Sequence, residues 1–129
     1  MIPRYRAWDK ELQTMLDVSL IDFKKRVLVG EHWKFGETNF MSFDDIKLMQ
    51  STGLCDKEGT EVFEGDILHH QIQTEYTFIV KYDKDKGRWY GDGISRTYRI
   101  DITKEFLPYY KVIGNIYENQ ELLEVDNED

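Results

Sequence analysis

Between Leu48 and Leu68 the chain spells out its own turns. Asp56-Lys57-Glu58-Gly59 is a polar turn, a strand-forming run follows it, and Glu64-Gly65-Asp66 turns the chain again into apolar Ile67. Glycine supplies backbone angles that a Cβ would strain, and aspartate accepts hydrogen bonds from nearby main-chain amides. Turns this closely spaced leave room only for short strands, so a small β structure is expected and helices should be few.

The rest of the sequence keeps to that plan. Arg4-Tyr5-Arg6-Ala7-Trp8 alternates, with Tyr5 and Ala7 on one face and the arginines and Trp8 on the other. Asp9-Lys10-Glu11 is a polar turn, and Met15 to Ile21 has mixed spacing that fits a strand or a short helix. Phe23 to Val29 reads as a strand with a basic middle, Lys24-Lys25-Arg26, ending at Gly30. Asp66 to Ile72 and Glu75 to Tyr82 read as strands, the second carrying Tyr76, Phe78 and Val80 on one face. Asp83-Lys84-Asp85-Lys86-Gly87 is a hairpin turn in which Gly87 takes positive φ. Arg88-Trp89-Tyr90 begins the return strand, while Gly91 and Gly93 mark a loop. Tyr98 to Ile102 alternates, and Thr103 to Leu107 fits one helical turn that Pro108 stops. Tyr110 to Tyr117 is the last strand, with a bulge or close backbone approach at Gly114. With 18 aromatic residues, the pattern gives a small antiparallel barrel or sandwich.

Bulk composition narrows the class. A chain of 129 residues fits one domain and can fold without metals or disulfides. The single cysteine, Cys55, has no internal partner, no signal-peptide pattern is present, and the apolar runs are far too short to span a membrane. A soluble protein of a reducing compartment is the expectation. The net charge of −8 is uneven: residues 115–129 hold 6 acids and no base, whereas residues 1–34 hold 7 bases and 5 acids. Direct nucleic-acid binding is therefore disfavoured, because phosphates would be repelled by the chain as a whole.

Three segments, in order and spacing, resemble the YopX family of small phage and prophage proteins of Gram-positive bacteria. They are Tyr5-Arg6-Ala7-Trp8-Asp9, then Leu48-Met49-Gln50 through Thr52-Gly53-Leu54, Asp56, Gly59 and Glu64-Gly65-Asp66-Ile67, then Val112-Ile113-Gly114-Asn115-Ile116-Tyr117-Glu118-Asn119. The resemblance runs from about residue 4 to 123 and implies an SH3-like β-barrel. It implies a setting and a fold and carries over no catalytic residue. Cys55, Ser51 and Gln120 depart from the family pattern, and an individually substituted thiol is a poor basis for shared redox chemistry. The motif glycines and Asp56, Asp66, Asn115 and Asn119 have a physical explanation in turn chemistry.

Other chemistry is weaker. Glu64, Asp66, Leu68 and His70 share one strand face, but Glu64 and His70 lie roughly 20 Å apart at strand rise, too far to converge on one metal ion. A nucleophilic Cys55 would need His32, His69 or His70 beside it, and Asp56 and Glu58 favour its neutral thiol. No phosphate-cradling loop or catalytic-triad spacing occurs. Because SH3-like barrels often bind partners through aromatic grooves, Trp33, Trp89, Tyr90 and Tyr98 are the candidate partner-binding residues.

The combined expectation is a mainly β single domain over residues 1–129. It has an SH3-like antiparallel barrel at about 46–119, a β-rich N-terminal extension, few helical turns and a mobile acidic tail at 120–129. Its expected function is that of a non-enzymatic, cofactor-free protein–protein interaction module, encoded by a phage or prophage. It would bind a host or phage protein in the host cytoplasm, away from membranes. Exposed strand edges would also allow homo-oligomers. The alternative is an acidic modulator or mimic that binds a nucleic-acid-binding protein.

Overall fold

Short alternating runs separated by side-chain-capped turns produce eleven strands and no α-helix among the described residues. A computed structural model of the chain describes residues 4–73, 75–94 and 98–123. The chain divides into two compact units, Met1–Ser51 and Thr52–Asp129. Among the described residues no helix is long and apolar enough to cross a membrane.

The first unit holds β1 (Tyr5–Asp9), β2 (Thr14–Asp22), β3 (Val27–His32), β4 (Thr38–Ser42) and the start of β5 (Ile46–Cys55), in the antiparallel order β4-β3-β2-β1-β5. Ala7 pairs with Leu16 on one side and Leu48 on the other, and Ala7, Leu16, Leu28 and Ile46 form the buried cluster. The segment at 15–21, ambiguous by spacing, is strand. Arg6 and Trp8 are buried along with Ala7, so β1 is covered on both faces. One expectation fails here. The basic run Lys24-Lys25-Arg26 is a turn and not the middle of a strand. Asp22 Oδ1 accepts the Lys25 amide at 3.0 Å and Arg26 adopts φ 58°, which reverses the chain before β3 begins at Val27.

The second unit adds β6 (Glu61–Phe63), paired with β5, and a five-stranded antiparallel sheet. That sheet comprises β7 (Asp66–His70), β8 (Thr77–Asp83), β9 (Arg88–Gly93), β10 (Arg99–Asp101) and β11 (Tyr110–Asn115), in the order β10-β9-β8-β7-β11. The hairpin between β8 and β9 is as read from sequence. Gly87 has φ 65°, and Asp83 Oδ1 accepts the amides of Asp85 and Lys86. Leu68, Phe78, Val80, Ile102, Leu107 and Tyr110 build the core with Val62.

Two glycine readings sharpen. Gly91 and Gly93 lie within β9 and are not a loop. A Cβ on Gly91 would sit 2.9 Å from Phe78 Cβ, so the missing side chain makes room for Phe78 beside the strand. At Gly114 the register of β11 shifts, and a Cβ there would collide with the Asn119 side chain. The bulge and the close approach both occur. The single turn at Thr103–Leu107 forms, the Phe106 and Leu107 amides donating to the Thr103 carbonyl at 3.1 and 3.2 Å, and Pro108 lies at the start of the 3-10 turn Leu107–Tyr109 that follows, where its missing N–H is harmless.

Neither sheet closes on itself among the described residues, so the observed architecture is two open antiparallel sheets with a few 3-10 turns. Of the expected mobile tail, Gln120–Leu123 form a 3-10 turn, and residues 124–129 lie outside the described residues.

Candidate functional site

The polar centre of the first unit looks like a catalytic dyad. Asp9, at the end of β1, and His32, at the end of β3, are both buried, with Asp9 Oδ2 2.9 Å from His32 Nε2. The other ring nitrogen, Nδ1, lies 2.9 Å from the amide nitrogen of Asn39, which also donates to the Glu37 carbonyl. An amide N–H pointing at Nδ1 assigns the imidazole proton to Nε2, facing Asp9. Both nitrogens are occupied, and no lone pair remains for a base. Asp9 Oδ1 accepts the Glu11 and Leu12 amides at 3.0 Å each, capping the turn after β1. Burial pushes the Asp9 carboxyl up, but the hydrogen bonds from His32, Leu12 and Glu11 outweigh it and hold the group below its usual 3.8. The group ties two strands and a turn together; it is structural.

The acids and amides of the motifs do similar work. Asp56 Oδ1 accepts the amides of Glu58 and Thr60 at 2.8 and 2.9 Å, while its Oδ2 accepts the Val112 amide at 2.8 Å from a strand 56 residues away. Asp66 Oδ2 accepts the Phe63 amide at 2.8 Å. Asn115 Oδ1 accepts the amides of Tyr117 and Glu118, and Asn119 Oδ1 accepts that of Asn115. These oxygens are engaged with the backbone, and no cluster of three potential metal ligands occurs among the described residues. Cys55 is exposed, and His70 has its Nδ1 occupied by the Ile72 and Gln73 amides at 3.0 and 2.9 Å.

One concave feature has the chemistry of a recognition site. At one end of the five-stranded sheet, where β7 stops and β8, β10 and β11 begin, a cleft of ≈ 340 Å³ opens among aromatic rings. Strand pairing brings them together: Tyr110 faces His70 across the β11–β7 ladder, and the His70 amide donates to the Tyr76 carbonyl at 3.0 Å. Phe106 and Glu105 come from the turn after β10, where Thr103 Oγ1 accepts the Phe106 amide at 3.2 Å. Phe106 stacks on Tyr110 at 4.0 Å, and Tyr98 lies 6.2 Å from Tyr76 and 5.8 Å from Phe78. Tyr110 and Phe78 are buried, whereas Tyr98 and Tyr109 are 47% and 56% exposed, placing them at the mouth. Burial first, then the neighbouring Tyr98 and Tyr76 phenols, push the Tyr110 hydroxyl up to about 12. Tyr110 is therefore held as a neutral phenol in a partly desolvated hollow.

Of the four aromatics singled out from sequence, only Tyr98 lines this cleft. Trp33 belongs to the first unit, is half exposed, and donates its indole N–H to Asp17 Oδ1 at 2.8 Å. Trp89 packs half-buried against the second core, edge-on to Tyr82 at 4.9 Å. Tyr90 points to the opposite face of β9, where the Arg99 guanidinium sits 4.5 Å from its ring centroid. Sequence reading missed Tyr76, Phe106, Tyr109 and Tyr110 as site residues and weighed His70 only as a metal ligand or a partner of Cys55. The Tyr109-Tyr110 pair following Pro108 was the available signal.

A profile of the YopX protein family matches residues 4–124. Protein EF1440 from Enterococcus faecalis, known from a crystal structure, is 31% identical, with the similarity covering 96% of this chain and 99% of that one at a TM-score of 0.69. The crystal structure of protein yopX from Bacillus subtilis is similar over 94% of this chain and 95% of its own, at 19% identity and a TM-score of 0.54, a likeness of fold. No curated protein matches the chain significantly.

Proposed function

Because the chain belongs to the YopX family, we propose that it is a phage- or prophage-encoded, non-enzymatic protein–protein interaction module that acts in the host cytoplasm. The observation that carries this reading is the solvent-open aromatic cleft. Rings that are held by strand pairing yet remain accessible are what partner sites use, because they supply contact area at low entropic cost. The second unit is read as an SH3-like roll left open. Its meander β7-β8-β9-β10, the 3-10 turn at Leu107–Tyr109, and β11 returning beside β7 support that reading. The test is co-purification from host lysate with the wild type and with a Tyr98→Ala/Tyr109→Ala variant. A partner captured at stoichiometric level by the wild type, and lost from a variant with unchanged thermal midpoint, supports the module. No stoichiometric partner, or one that the variant retains, refutes it.

A second reading, an acidic mimic that binds a nucleic-acid-binding protein, draws on the charge distribution. The second unit holds 9 basic and 17 acidic side chains, whereas the first holds 8 of each. Mimicry should weaken steeply with salt and depend on residues 120–129; an aromatic-centred interface should do neither.

A further inference from the structure

We propose that the aromatic cleft recognises a cationic side chain, lysine or arginine, presented by a partner polypeptide; the inference rests on the interaction reading above and names the chemistry of its ligand. Ring faces carry negative quadrupole density, and a cation within about 6 Å of a ring centroid is attracted, more strongly where water is displaced. Tyr98 and Tyr109 present half-exposed rings at the mouth of one hollow, where a cation can reach them, with Tyr76 and Tyr110 also lining it. An ammonium or guanidinium N–H would donate to the phenol oxygens around the hollow.

Charge points the same way. Among the described residues, Glu105 lines the cleft and no lysine or arginine does. The His70 Nδ1 is taken up by two backbone amides. The acidic excess of the second unit, 17 acids against 9 bases, would steer cationic partners toward it. A neutral proline-rich segment would use the rings but leave the Glu105 carboxylate without a counter-charge.

The test is an NMR titration of the whole chain with four blocked peptides. Three share one alanine framework and carry lysine, arginine or norleucine at the centre; the fourth is a neutral proline-rich peptide. Saturable shifts of the Tyr98, Tyr109 and Tyr110 rings are expected with the lysine or arginine peptide, and about tenfold weaker binding with norleucine, which keeps the alkyl chain without the charge. Tyr98→Ala and Tyr109→Ala remove half-exposed rings and should weaken binding while preserving the thermal midpoint. Glu105→Gln should flatten its salt dependence, and Tyr110→Phe should weaken it through loss of the hydroxyl alone. Norleucine or proline-rich binding as tight as that of the cationic peptides, or no cation-dependent shift, overturns the proposal. In either case partner capture that still depends on Tyr98 and Tyr109 preserves the interaction reading, so the two failures separate.

Discussion

Replacing Asp56 by alanine should cost the protein a large part of its stability. The carboxylate accepts three backbone N–H groups, two within its own turn and one, Val112, from β11. A hydrogen bond to a charged acceptor contributes about 1.5–3 kcal/mol. The amides of Glu58 and Thr60 belong to a surface turn and regain water when the carboxylate is removed. Val112 is in the ladder beside β7 and recovers less. The net loss is therefore about 2–4 kcal/mol, well short of three full bonds. At roughly 4–8 °C per kcal/mol for a small domain, the thermal midpoint falls by about 10–30 °C. Asp56→Asn should lie between, since an amide keeps one acceptor oxygen and turns donors toward the other amides. Urea unfolding followed by circular dichroism gives the free energy, and hydrogen exchange at the Val112 amide locates it. A loss under about 1 kcal/mol, or an equally protected Val112 amide, would show that this motif acid does not hold the fold.

Three further outcomes are expected. Gly114→Ala places a Cβ 2.9 Å from Asn119 Cβ and should destabilise by about 1–3 kcal/mol, less than additively with Asn119→Ala in a denaturation cycle because both changes disturb one contact. Asp9, whose folded pKa lies below 3.8, contributes stability that is present above that value and lost as pH falls through the lower folded one. Urea midpoints measured from about pH 6 down to pH 2 should fall more steeply for the wild type than for Asp9→Asn, and parallel curves would sink that account. Trp89→Ala should destabilise the protein by about 2–3 kcal/mol for a half-buried indole and lower its thermal midpoint accordingly, because the ring packs on the second core; an unchanged midpoint would return it to the pool of surface residues.

Local signals were readable where one segment contains its own explanation. The Asp83–Gly87 hairpin and the bulge at Gly114 follow from turn chemistry and from glycine's lack of a Cβ. The alternation of Phe78 and Val80 follows from a strand with one buried face. What sequence could not supply was set by other segments. Lys24-Lys25-Arg26 sits between apolar residues and reads as a continuous strand until Asp22 captures the Lys25 amide. Gly91 and Gly93 look like loop glycines because the ring that needs the space at Gly91, Phe78, lies on the neighbouring strand. The cleft is the extreme case. Its rings come from the end of β7, the approaches to β8 and β10, and the turn into β11. Only the register of the ladders makes them neighbours, so a search for prominent single aromatics found Tyr98 and passed over the rest.

Gly91 has a consequence that reaches beyond packing. Phe78, the ring it accommodates, touches Tyr98, Phe106 and Tyr110. Any side chain at 91 would tilt that ring and reshape the hollow from beneath. A mutational screen scored on capture alone would then flag a position that has no side chain with which to touch a ligand, and would mistake the mould for the cast.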